Sequence, residues 1–132
     1  MSQGHLLHTV GPINSGAAVG GAGVATANAN TPVRVMGRLR GIYIKYNDAP
    51  PAATCDITIA TVGGNGAPPS QALLSIANAA TDGWFYPAVQ LHTTAGAAIA
   101  GEYGPLLVDD HVNVKIDQVN AGDNIDVWLV LE

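Results

Sequence analysis

Asp109, Asp110 and His111 put two carboxylates and an imidazole on consecutive residues, the group types that hold divalent cations or move protons. Three other histidines, His5, His8 and His92, and three serines, Ser15, Ser70 and Ser75, could in principle complete a metal site or a hydrolytic triad with them. The spacing supports neither. Adjacent residues on a strand point to opposite faces, no paired ligand spacing accompanies the Asp-Asp-His run, and no serine stands in a nucleophile-elbow context. Asp side chains capping a turn are the expected role here. The glycine run GGAGVA at 20–25 lacks the third glycine of a dinucleotide loop and is followed by Asn, Thr and Pro rather than a helix that could face a phosphate. No phosphate-binding GxxxxGK[ST] loop occurs. The sequence therefore carries no catalytic, cofactor or metal residues that can be named, and the protein is expected not to be an enzyme.

Chemistry of another kind is concentrated in the aromatics. Trp84, Phe85, Tyr86 and Trp128 hold most of the aromatic surface. Around the last of them, NIDVWLVLE at 124–132 alternates Ile125, Val127, Leu129 and Leu131 against Asp126, Trp128, Val130 and Glu132. The first set belongs in a core. The second sets an indole and a valine between two carboxylates, the pattern of an interface with an apolar centre and a charged rim.

The elements that must position these residues are strands. VNVKIDQV at 112–119 alternates cleanly and is followed by NAGDN, which predicts a hairpin with the terminal strand and Gly122 at its turn. TCDITIATV at 54–62 is β-branched throughout. In VRVMGRLRGIYIKY at 33–46 the apolar parity slips between Leu39 and Ile42, predicting a bulge near Gly37 or Gly41. In DGWFYPAVQLH at 82–92, Pro87 implies a sheet edge or a break between two short strands. QALLSIANAA at 71–80 fits a strand or a helical face and is assigned to a strand. NDAPPA at 47–52, GGNGAPPS at 63–70 and TTAGAAIAGEYGP at 93–105 are expected loops. Short strands between Gly and Pro turns give an all-β, single-domain sandwich or barrel, with jelly-roll wiring as one version of it, over residues 33–132. Residues 1–32 are expected to form an N-terminal strand and an extended Gly/Ala-rich arm. Within it, SGAAVGGAGVATANAN at 15–30 should be mobile alone and ordered only when laid along a neighbour.

Charged residues make up 11% of the chain, against about 25% in an ordinary soluble domain. So few charges suggest that much of the surface is covered by copies of the chain or by a larger assembly. Arg34, Arg38, Arg40 and Lys45 supply four of the five basic residues, and all but one of the remainder's charges are acidic. The arginines are expected to meet acidic loops of a neighbour. A formal net charge of −5 argues against nucleic acid as a partner, and no apolar run is long enough to span a membrane. One cysteine, Cys55, excludes an internal disulfide, and the N-terminus has no signal-peptide pattern, so synthesis in a reducing cytoplasm is expected.

DGWFYPAVQLHTTAGAAIAGEYGPLLVDDHVNVKIDQVNAGDNIDVWLVLE, residues 82–132, together with the charge-poor Gly/Ala/Thr/Asn composition, resembles the small head-decoration or cement proteins of tailed bacteriophages. That resemblance implies a virion protein on the outer capsid surface, commonly a homotrimer, clamping neighbouring major-capsid subunits, with no catalytic residues. The interface residues expected on this reading are Arg34, Arg38, Arg40, Trp84, Tyr86, Asp126, Trp128 and Val130. A receptor- or glycan-binding module of a tail fibre, using Trp84, Tyr86 or Trp128 as a platform, is the alternative.

Overall fold

The computed structural model describes residues 6–47, 54–79 and 81–132. His5 and the part of the NDAPPA loop beyond Asn47 lie outside them. The described chain is all β: β1 (His8–Asn14), β2 (Ala25–Asn30), β3 (Val35–Tyr46), β4 (Asp56–Thr61), β5 (Ala72–Ile76), β6 (Gly83–Phe85), β7 (Val89–His92), β8 (Ala98–Gly104), β9 (Leu106–Asp110), β10 (Val112–Val119) and β11 (Ile125–Leu131).

Two sheets form a sandwich. A five-stranded sheet runs β1-β11-β3-β6, with β9 also on β3, and a four-stranded sheet runs β2-β10-β4-β5. The antiparallel pairs β1·β11, β2·β10, β3·β9 and β4·β5 are nested around the 62–71 connection. That is a chain folded once into a long hairpin and then rolled up, the jelly-roll wiring. Strands β6 to β8 are an excursion between β5 and β9, and β7 and β8 pair only with each other.

The core follows from alternation. Ile125, Val127, Leu129 and Leu131 of β11 and Val112, Val114 and Ile116 of β10 are buried, facing Ile42 and Ile44 of β3 and Ile57 and Ile59 of β4. The parity slip in β3 is a bulge: Val130 pairs with Gly41 and Leu131 with Leu39, so Arg40 is the extra residue, and Val35 and Leu39 join the inner face despite their odd numbering.

Three expectations change. β10 and β11 are not a hairpin: β10 lies between β2 and β4, β11 between β1 and β3, and the 120–124 turn crosses from one sheet to the other. Residues 15–30 are not one extended arm but a turn at 20–24, closed by the Val19–Thr26 bridge, that leads into β2, and they are ordered by their own chain. β1 and β2 pair with β11 and β10, Ala18 and Ala25 are buried, and the intervening loop is held by Gly122 N–H donating to Ala18 O (2.9 Å) and Gly23 N–H to Asn120 Oδ1 (3.0 Å). Small side chains let this backbone lie close against the sandwich, so residues 6–32 are part of the same domain. Finally, the expected 93–105 loop contains strand β8.

Candidate functional site

The outer faces of the two sheets are unlike each other. On the four-stranded sheet the outward residues are small and polar: Asn28 and Asn30 of β2, Asn113 and Lys115 of β10, Thr58 of β4 and Ser75 of β5. Asn113 Nδ2 donates to the Asn28 (3.2 Å) and Asn30 (2.7 Å) carbonyls, and Lys115 pairs with Asp117 at 3.4 Å. This is a surface made for water.

The five-stranded sheet carries instead a row of rings across three strands. Trp128 of β11 pairs in register with Tyr43 of β3, and Tyr43 with Trp84 of β6. Alternation puts all three outward. Tyr43 lies 5.1 Å from Trp84 and 5.9 Å from Trp128, both tilted, the edge-to-face range in which aromatic pairs attract. Tyr86 stacks on Trp84 at 6.1 Å with an interplanar angle of 6°. Its ring reaches over β3 because Gly41 has no side chain: a Cβ there would stand 3.3 Å from Tyr86 Cδ1. Trp128 is seated against Gly11, where a Cβ would meet Val127 O at 2.7 Å and Trp128 Cδ1 at 3.0 Å.

Thr9, Tyr43, Trp84, Trp128 and Val130 line an open depression of about 270 Å³. No charged side chain or side-chain amide enters the lining, so it suits an apolar occupant. Trp84 and Tyr86 remain 51% and 70% exposed, and Leu107 of β9 and Met36 of β3 extend the uncovered apolar surface along the same sheet.

Charges rim this face. Arg40 pairs with Glu132 at 3.3 Å and Arg34 with Asp109 at 3.0 Å, both within the chain. Arg38 and Lys45 form no ion pair among the described residues. Asp126 accepts a hydrogen bond from Asn14 Nδ2 at 2.9 Å. The structure thus brings Trp84, Tyr86, Trp128, Val130, Asp126, Arg38 and Arg40 onto one sheet face and sets Arg34 at its end. Two of the three arginines already have carboxylates of their own chain. Tyr43 was not among the expected interface residues, although its outward parity in IYIKY was readable. Its place between two indoles was not, because alternation does not identify neighbouring strands.

The Asp-Asp-His run is divided by the fold. Asp109 meets Arg34, while Asp110 is buried and accepts from Gly63 N–H and His111 N–H at 2.5 and 2.7 Å, fixing the 62–66 loop. His111 Nδ1 lies 3.0 Å from Thr31 O and so carries the proton toward it. Among the described residues no group of three or more His, Cys, Asp or Glu side chains is arranged to hold a metal ion.

No family model, curated protein or solved structure matches the chain. What it does must be argued from its surfaces.

Proposed function

We propose that this protein is a non-enzymatic structural protein of a virion, a decoration or cement protein that stabilises a bacteriophage head by binding across junctions between shell subunits. The observation that carries the reading is the inequality of the two outer faces: one polar and without aromatic rings, the other an aromatic row with a charged rim and no cover. A contiguous apolar patch of this kind marks an interaction surface. The resemblance of residues 82–132 to decoration proteins supplies the finer part of the proposal, the location on a phage shell. The mechanism is mechanical. A protein that binds assembled subunits and not separated ones stabilises the assembly in proportion to the logarithm of its concentration over its Kd.

The test is to purify the particles with which the protein co-sediments and image them. Density for a jelly roll on the outer shell is expected, and heads lacking it should break at lower temperature. Protein that sediments with no particle rejects the reading.

A second reading, a glycan-binding module of a tail fibre, is favoured by the parallel Trp84 and Tyr86 rings, which could stack on a sugar. The absence of charged and amide groups from the adjoining depression weighs against it, since sugar hydroxyls need such partners. Carbohydrate binding abolished by Trp84→Ala, with density at a fibre tip, would establish it.

A further inference from the structure

The hairpin formed by β7 and β8 has no core. None of its strand residues is buried, and among the described residues it pairs with no other strand. Its side-chain and turn hydrogen bonds are internal: Gln90 Nε2 donates to Ile99 O (3.2 Å), Thr93 N–H to Ala97 O (2.8 Å) and Gly96 N–H to Thr93 O (2.9 Å). A two-stranded ribbon standing by itself is marginally stable in water. Yet this one carries Val89, Leu91 and Tyr103, exposed by 40%, 43% and 61%. Ribbons of this composition need a surface to lie on.

We propose that the β7–β8 hairpin is an arm that seats on the outer face of the five-stranded sheet of a second copy of this chain. The inference rests on the reading of that face as an assembly surface, and it names the occupant. Charge is compatible with the pairing. Between Pro87 and Pro105 the sole Asp, Glu, Lys or Arg is Glu102, whereas the receiving face carries Arg38, which forms no ion pair among the described residues, beside Arg40 with its Glu132 and Lys45 with Asp126 opposite it. Gly104 pairs with Val89, and a Cβ on Gly104 would stand 3.0 Å from Leu91 Cδ2, so Val89 and Leu91 share one face of the arm; Glu102 lies two residues before Gly104, where the register of the hairpin shifts.

Size agrees. β8 has 7 residues and is therefore roughly 20 Å long, enough to cross a face whose neighbouring strands lie about 4.8 Å apart. Met36, Trp84, Tyr86, Leu91, Tyr103 and Leu107 together leave on the order of 700 Å² of apolar surface uncovered, at about 150–250 Å² for a whole aromatic side chain. A standard interface buries about 800 Å² per partner, which this pooled area approaches where each copy contributes both its arm and its face to one contact, as in a reciprocal pair. Arm and receiving face are different surfaces of one copy, so copies join head to tail in a closed ring or as a reciprocal pair.

The experiment is a charge exchange read by sedimentation equilibrium. Glu102→Arg and Arg38→Glu should each weaken self-association at least five-fold, and the double variant should recover most of it. Leu91→Asp, on a strand that touches no core, should yield monomers that keep the parent's β-type circular dichroism and melting temperature. Wild-type protein that stays monomeric at millimolar concentration overturns the inference. So does an oligomer indifferent to all three substitutions, or a monomer whose Trp84 face binds carbohydrate instead. A monomer that still decorates heads would sink the arm and leave the proposed function standing; an oligomer that binds no particle would do the reverse.

Discussion

Cys55 is fully buried beside Tyr46, whose hydroxyl donates to Ala79 O at 2.7 Å while Ala79 N–H donates to Cys55 O at 2.7 Å. Burial pushes the Cys55 thiol from 9.0 up to about 11, with the Asp56 and Asp123 charges adding to it. Burial likewise raises the Tyr46 phenol above its usual value, and Cys55 contributes. Both groups bind their proton more tightly folded than unfolded. Their neutral forms therefore favour the fold below about pH 9, and this contribution is lost as pH rises toward 11. Denaturant titrations at pH 7, 9 and 10.5 should show stability falling, with a smaller fall in Cys55→Ala. The native thiol should react with a disulfide reagent at the rate of unfolding, not faster. Gly11 makes a second prediction at this scale. Its φ of +142° and the 2.7 Å approach of a would-be Cβ to Val127 O leave no room for a side chain. Gly11→Ala should cost about 1–3 kcal/mol and displace the Trp128 ring, read as a lower melting temperature with an indole emission shift. The Arg34–Asp109 ion pair is solvent-facing and contributes at most about 1 kcal/mol.

Among the elements, β1 and β2 decide whether the N-terminal region is dispensable. Each covers the flank of a strand whose other neighbour is already paired, β11 for β1 and β10 for β2. Deleting residues 1–30 would strip both flanks, open the core at Ile13 and Ala25, and expose two long apolar strand edges. The truncated chain should be insoluble or melt without cooperativity; a soluble, cooperatively folding fragment from residue 31 onward would show instead that these strands are an appendage. The sequence concealed this because ATANAN offers alanines where a strand usually offers valine or isoleucine. Its alternation, Ala25, Ala27 and Ala29 against Thr26, Asn28 and Asn30, is regular but nearly without hydrophobic contrast. The facing of the core strands was legible for the opposite reason: Ile125 to Leu131 and Val112 to Ile116 alternate with strong contrast, and the parity slip in β3 announced its bulge. Neighbours were not legible. VNVKIDQV and IDVWLVL look like two halves of a hairpin because NAGDN fits a tight turn, yet the turn spans the sandwich. Local turn chemistry does not reveal which strand sits alongside. The same limit hid the aromatic row, since Tyr43, Trp84 and Trp128 come from three strands separated by tens of residues.

At the scale of the molecule, a low charge content can mean either a neutral polar surface everywhere or an uneven surface with one part covered. The structure has both kinds of surface, segregated by sheet, and the segregation yields the most direct test of what the protein is for. The Asn, Thr and Ser face is already hydrated, so a lysine added there mainly adds charge, with the loss at position 28 of one exposed hydrogen bond from Asn113 and a like charge opposite Lys115. A lysine within the aromatic face would have to be desolvated on docking, at a penalty that more than cancels the apolar area it replaces. Asn28→Lys and Ser75→Lys should therefore leave self-association and particle binding within about two-fold of the parent. Trp84→Lys and Leu107→Lys should weaken one or both by more than ten-fold, a loss of about 1.4 kcal/mol or more. Because Leu107 lies outside the core and Asn28 and Ser75 are exposed, the isolated subunit should melt within a few degrees of the parent in those three variants, whereas Trp84→Lys also gives up the ring contacts with Tyr43 and Tyr86 and should melt lower while keeping the parent's β-type circular dichroism. Sedimentation and calorimetry on this set separate the alternatives. Equal effects on the two sheets would mean that overall charge, not a docking face, governs assembly. Losses confined to the Asn-rich sheet would place the contact on the hydrated side and reverse the assignment of the aromatic row.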